Sequence, residues 1–426
     1  MVANVHAADV PKPASGADAR ETVQVTALLR DDRALADWVS RRSFDVAAAK
    51  QEFNAARAEY RDSQLLPNPS VDLSVSNLAL GPSNPADLSL SEMLIYGVGL
   101  SETVELGKRG PRGDAASLRA RAADRGVATT LGERVADARL ALGRLLYARA
   151  RATELDQSLA QARAAAAVAK GRLDHEALSG VDYDRLLIDL GGVESDAVRA
   201  HADADASQVT CDAVLRARCV IDDDADVTAL GAAEGTPAAP APALDQRPDI
   251  EQLTLQADAA RKDATLAAHK AIPDLTFRLG YTRSTFTVSG DQPHTLGLSV
   301  SAPIPVFNQG QHEESAALAR AASLAHQRES ALAEAQAAVA SLRTRQRAIS
   351  EALAKLERES LPRVDAVLRA QEHGLSEGQL DITDLILARR DAIGLRLQSL
   401  DLRFELFTTD NDLRHALGLD AALHHR

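Results

Sequence analysis

The side chains of this 426-residue chain that could do chemistry are few and scattered. Gly97-Val98-Gly99 follows an alternating run in the manner of a dinucleotide loop, but Glu102 stands where that fingerprint needs its third glycine. His312-Glu313 has the start of a zinc-protease helix, yet Ala316 replaces the second histidine. No Gly-x-Ser-x-Gly elbow or phosphate loop occurs. Cys211 and Cys219 lie in a stretch of helical spacing, where 1.5 Å per residue separates them by about 12 Å, beyond disulfide reach. No further soft ligands stand close enough for zinc. The expectation is two unpaired, helix-packing cysteines, no catalytic residues, no cofactor and no metal centre.

Two groups of polar residues remain. Asp174-His175-Glu176 and Glu372-His373 recur at equivalent places, with His373 198 positions after His175. An imidazole beside carboxylates can bind a metal or respond to pH, since it titrates near 6.5; an exposed polar helix end is the ordinary alternative. Asp182, Asp184, Asp381 and Asp384 follow glycine-containing turns, where capping and the helix macrodipole favour carboxylates.

The elements that must position these groups follow from composition and period. Alanine is roughly a fifth of the residues and aromatics are 3%, which excludes a large aromatic core. A net charge of −13 argues against nucleic acid as a partner. No run of 18 apolar residues occurs, so a membrane-spanning helix is excluded, while insertion as strands stays open. Prolines are absent between Arg112 and Thr236 and between Val306 and Leu361, zones that permit long helices. Within the second zone Leu318, Ala325, Leu332 and Val339 keep a seven-residue step, and Leu385, Ala392, Ser399, Leu406 and Leu413 resume it after Gly378. Alanine at such seams lets helix backbones approach closely. A helix is expected from about Gln311 to His373, on the order of 90 Å long.

Between the helical zones four segments alternate apolar with polar residues: about 70–80, 94–104, 274–286 and 294–303. Helix, proline, strand, turn, strand, long helix, glycine turn and helix then occur twice, near 200 residues apart, which indicates an internal duplication. The expected organisation is an N-terminal segment (1–20), a first repeat (21–219), a linker (220–246), a second repeat (247–419) and a short tail (420–426). Residues 1–20 lack the basic and apolar regions of a complete signal peptide, although Val5-His6-Ala7 is like a cleavage site.

Four strands are each close to bilayer length, but four cannot close a barrel, and bacterial outer-membrane barrels need at least eight. Three chains would supply twelve. The alternative is a soluble coiled-coil scaffold whose strands pack on helices.

Four motifs in order carry a family resemblance: Leu65-Leu66-Pro67-Asn68-Pro69, Glu105-Leu106-Gly107-Lys108-Arg109, Arg247-Pro248-Asp249, and Pro303-Ile304-Pro305-Val306-Phe307-Asn308-Gln309-Gly310. Over about Thr22 to Leu419 the chain resembles TolC-type outer-membrane efflux proteins, specifically the branch accompanying heavy-metal exporters. The resemblance implies a mainly α, internally duplicated fold with a small β part. It implies a homotrimer in outer-membrane lipid, with a twelve-stranded β-barrel and a long α-barrel through the periplasm of a Gram-negative cell. The implied partners are a periplasmic adaptor of the membrane-fusion class and an inner-membrane pump of the RND type. The implied activity is passive exit of substrates, divalent heavy-metal cations in that branch; multidrug export and type I secretion use the same fold. Helix–helix turns form the periplasmic tip, so Asp384 inherits a pore-constricting role, with Asp381, Asp182 and Asp184 as companions. Leu387 occupies the next acidic position of the family pattern. Ser179, Gly180, Val181, Gly378, Gln379 and Leu380 fall on the adaptor-contacting turns, and His175 and His373 stand beside them.

Overall fold

A computed structural model describes residues 21–78, 80–81, 89–221, 230, 243–285, 292–376 and 382–421. In chain order the main elements are β1 (Thr22–Gln24), α1 (Val25–Arg30), α2 (Asp32–Arg42), α3 (Phe44–Asp62), β2 (Ser70–Ser76), α4 (Leu90–Met93), β3 (Ile95–Val104), α5 (Arg109–Asp174), α6 (Gly180–Leu215), β4 (Arg218–Val220), α7 (Pro248–Ala268), β5 (Leu275–Ser284), β6 (His294–Ser301), α8 (Gln311–Lys355), α9 (Leu361–Ser376) and α10 (Ile382–Ala416). The chain is mainly helical with a small sheet, as composition and period predict. The helix expected over 311–373 is interrupted by a π-helical turn at Leu356–Ser360. Pro362 lies just beyond it and has no N–H to give the preceding turn.

The chain forms two compact units, and each draws on both sequence halves. The first comprises Met1–Lys50, Gly126–Ile250 and Ala331–Arg426; the second comprises Gln51–Arg125 and Glu251–Ser330.

In the first unit, Leu35, Val39 and Val46 of the N-terminal helices pack with Leu131, Val135, Leu142 and Leu145 of α5 and Leu215 of α6. Further along, the seams are small-residue pairings: Ala152 and Leu155 with Ala197 and Ala200, then Ala166 and Ala169 with Leu186 and Ile386. Leu368 of α9 packs with Leu385 and Ala392 of α10. Leu385 and Ala392, on the seven-residue track read from the sequence, therefore sit at a seam where two helices meet.

The cysteine expectation is corrected here. Cys211 and Cys219 form a disulfide, with Cα atoms 6.2 Å apart. The straight-helix distance does not apply because α6 stops at Leu215, and Arg216 takes a left-handed conformation (φ 54°) that turns the chain back. Cys219 thus enters β4, which pairs in parallel with β1 in the register Thr22↔Arg218, Val23↔Cys219 and Gln24↔Val220. The Cys219 backbone N–H donates to Asp212 Oδ1 at 2.8 Å, and Gln208 Nε2 donates to the Cys219 carbonyl at 2.8 Å. Trp38 Nε1–H donates to the Leu215 carbonyl at 3.0 Å. This two-stranded sheet, which takes the first residue of the expected linker, has no sequence signature, because three-residue strands are too short to show a period.

In the second unit, β2, β3, β5 and β6 form one antiparallel sheet in the order β2-β3-β5-β6. All four strands lie within the expected ranges. The sequence motifs knit the sheet to its helices. Leu106 N–H and Lys108 Nζ both bond Asp274, the latter at 2.7 Å. Arg112 grips both oxygens of Glu105 at 2.8 Å, and this pairing raises its pKa above the usual guanidinium value against the effect of burial. Gly107 (φ 71°) offers its carbonyl to His269 Nδ1 at 2.6 Å. Gly310 (φ 84°) brings the backbone against the Ala267 carbonyl. In the first unit, Arg247 bonds Asp249 and the Ala416 carbonyl that ends α10.

Candidate pore wall and tip

The two faces of the sheet follow from strand alternation. In an antiparallel sheet the partners across a row share one face. One face carries the rows Val71–Leu100–Leu279–Leu298 and Leu73–Val98–Tyr281–Leu296. The other carries Ser70–Ser101–Arg278–Ser299, Asp72–Gly99–Gly280–Gly297 and Ser74–Gly97–Thr282–Thr295. The apolar face is uncovered: Leu73 is 81% exposed, Leu298 77% and Leu296 74%. On the polar face Ser70 bonds Ser101 at 2.7 Å, and Arg278 pairs with Asp72 at 3.7 Å. Arg278 lies over Gly99, where a Cβ would stand 3.1 Å from its guanidinium nitrogens. Glycine there leaves room for the ion pair on the polar face.

A turn joins α5 to α6. Glu176 adopts φ 58°, and Ser179 is the N-cap of α6. The Ser179 hydroxyl accepts the Asp182 N–H at 3.1 Å and donates to Asp182 Oδ2 at 2.7 Å, and Arg185 bonds Asp182 at 3.3 Å. Asp182 is thereby engaged in its own helix start, as capping chemistry favours. Gly180, Val181, Asp184 and His175 are exposed there. Asp384 is exposed in the first turn of α10. Gly378, Gln379, Leu380 and Asp381 lie outside the described residues, as does the side chain of His373. Among the described residues no cluster of three His, Cys, Asp or Glu side chains could hold a metal.

One ion pair between α6 and α10 was not legible in the sequence. Asp189 of α6, almost fully buried, binds Arg390 Nε of α10 at 2.6 Å. Beside it Arg389 Nη1 donates to the Gln161 carbonyl of α5 at 3.0 Å. A polar residue on the apolar stripe of α6 was the available signal, since a buried carboxylate requires a partner.

Residues 239–419 match the model of a family described as "Outer membrane efflux protein". The whole fold has solved counterparts. CusC, described in terms of transmembrane channel formation, superposes with a TM-score of 0.77 at 16% identity, covering 91% of this chain and 92% of that one. The chain has the fold of the outer-membrane efflux channels. VceC of Vibrio cholerae gives a TM-score of 0.74 at 15% identity over 92% of this chain and 96% of its own. The MtrE channel of Neisseria gonorrhoeae, in its open state, gives 0.72 at 18% identity over 91% and 88%. No curated protein sequence matches. The efflux-channel family comprises transport channels rather than enzymes, consistent with the failed enzyme motifs. No described helix is long and apolar enough to cross a membrane.

Proposed function

We propose that three copies of this chain close an exit duct across the outer membrane. Each contributes four strands to a twelve-stranded barrel, and the helices build the periplasmic conduit. The main support is the sheet. A soluble scaffold would bury rows such as Leu73–Val98–Tyr281–Leu296 against helices, whereas these rows are uncovered while the opposite face is Ser, Thr, Gly and one ion pair. That division is the one a barrel wall needs between lipid and water. The outer strands β2 and β6 each leave one edge unpaired within the sheet, and an edge calls for a partner strand; a neighbouring copy supplies it.

The duct works passively with a periplasmic adaptor and an inner-membrane pump, and the adaptor meets the turns around Ser179-Gly180-Val181 and Gly378-Gln379-Leu380. Divalent heavy-metal cations are the proposed cargo, from resemblance to that branch of the family. At the tip, three symmetry copies of Asp384 form an acidic ring, with Asp381, Asp182 and Asp184 nearby; such a ring repels itself and attracts cations. Its exposure in the first turn of α10 leaves Asp384 available for that position. The capping bonds of Asp182 make it the weaker candidate. The test is a planar bilayer: Asp384→Asn is expected to weaken block by divalent cations and change conductance. Unaltered block refutes the ring, and a protein extracted as a soluble monomer refutes the duct.

A further inference from the structure

We infer that the outward end of the apolar sheet face carries an anion site for the phosphorylated headgroup of an outer-leaflet glycolipid. The inference rests on the proposed outer-membrane orientation. The longer helices α3, α5, α7 and α8 adjoin the sheet in the chain at Ser70, Val104, Leu275 and Ser301, so in that orientation the opposite ends, at Ser76, Ile95, Ser284 and His294, are the ones that face outward.

The apolar face changes character along its length. Two rows of aliphatic residues with Tyr281 are followed, at the outward end, by the row Val75–Tyr96–Arg283–His294. Arg283 and His294 are direct cross-strand partners on β5 and β6, which places their Cβ atoms about 5 Å apart. Tyr96 flanks Arg283 on β3, and Tyr281 lies one row inward. All four side chains are exposed. Arg283 forms no ion pair with a carboxylate among the described residues, in contrast to Arg278 on the opposite face of the same strand, which pairs with Asp72.

His294 is held in a defined way. The Tyr281 hydroxyl and His294 Nδ1 are 2.6 Å apart, and the two rings stack with centroids 6.0 Å apart. When the phenol donates to Nδ1, the ring proton sits on Nε2, which is then a donor. A guanidinium and an imidazole donor, side by side above a band of aliphatic residues and bracketed by two tyrosines, match the order of a bilayer surface. Acyl chains meet the aliphatic rows, aromatic rings sit at the interface, and charged headgroups lie beyond. The complementary charge at that level is phosphate, and a guanidinium binds phosphate with paired N–H donors. The polar face has Thr282 and Thr295 at the equivalent level, so the cations are confined to the lipid-facing side.

The test uses the full-length protein incorporated into phosphatidylcholine nanodiscs doped with bis-phosphorylated lipid A, with co-purified lipid measured by mass spectrometry. Wild type is expected to retain lipid A over phosphatidylcholine. Arg283→Gln lowers that preference about fivefold, as for one cation at a charged bilayer surface, and the double change with His294→Gln lowers it further. Arg278→Gln, a cation lost from the other face, leaves retention unchanged. Equal retention by wild type and the double variant overturns the site. Full displacement by inorganic phosphate also overturns it, because the site would then recognise the free anion rather than the lipid. Failure of wild type to enter any bilayer would instead overturn the outer-membrane reading.

Discussion

The Cys211–Cys219 disulfide closes the turn by which α6 hands the chain to β4, and its removal has a calculable effect. The two residues are eight positions apart. For a loop of that size the chain-entropy relation gives about 8 cal/mol/K, or about 2.5 kcal/mol at 25 °C. This corresponds to about 70-fold in an opening equilibrium. The bond restrains a small element: β4 has three residues, paired to a three-residue β1, and further ties include the bonds from Cys219 and Gln208 within the same turn. Its loss should therefore act locally, on the opening of β1 and β4. The assay is amide hydrogen exchange of the detergent-solubilised protein before and after reduction, with Cys211→Ala/Cys219→Ala as the covalent control. The Arg218 N–H, which donates to the Glu21 carbonyl at 2.9 Å, is expected to exchange about 10- to 70-fold faster on reduction. The upper figure is the full entropy term, and the lower allows for structure retained in the opened segment. Trp38, the only tryptophan, is bonded to Leu215 beside this turn and should shift its emission in step. Exchange unchanged by reduction refutes the local-restraint argument. Two titratable thiols in oxidised native protein refute the disulfide itself.

Other perturbations test the packing of each unit. Arg139 of α5 is 5% exposed and bonds both oxygens of Asp420, at 2.8 and 3.0 Å, together with Asn411 and Asp32. Burial opposes its charge, but Asp420 and Asp32 outweigh that and raise its pKa. Arg139→Met leaves the buried Asp420 carboxylate with only the 3.9 Å contact to Arg414 and should cost about 3–5 kcal/mol, whereas Arg139→Met with Asp420→Leu should recover most of the loss. Thermal melting followed by Trp38 emission measures both, and a double variant as unstable as the single would contradict the charge argument. Gly143→Ala places a methyl on the Phe407 ring and should cost about 1–3 kcal/mol by overpacking. At Gly310, alanine meets both a left-handed backbone and the Ala267 carbonyl, so Gly310→Ala should reduce the yield of folded protein more than Gly143→Ala. A Gly310→Ala protein of wild-type stability would dismiss that close approach.

Much of this fold was legible in the sequence because it is made of long periodic elements. A seven-residue step sustained over many turns, proline-free zones and four alternating runs specify helix and strand with little dependence on the rest of the chain. Leu385 and Ala392, two residues on that step, pack against Leu368 in a helix–helix seam. The same property made the sequence misleading at its breaks. Period carries no information on where α6 stops, so Cys211 and Cys219 were measured along a straight rod, while one left-handed residue, Arg216, brings their Cα atoms to 6.2 Å. The π turn before Pro362 and the β1–β4 pairing are likewise too short to have a period.

The candidate site divides in the same way. Sequence alone determined which strand residues share a face, because alternation is strict, and hence that one face is apolar and the other Ser-, Thr- and Gly-rich. It also placed Asp182 and Asp384 at helix starts. The partners of Asp182, Ser179 and Arg185, are three residues away and local, but only tertiary structure decided that Asp189 is engaged by Arg390 from a helix about 200 residues away in the chain. Strand order likewise set Arg283 beside His294 and Asp72 near Arg278. The physical reason is range. Propensity and period act over a few residues, whereas a charge's partner is chosen by which elements the folded backbone brings within about 4 Å.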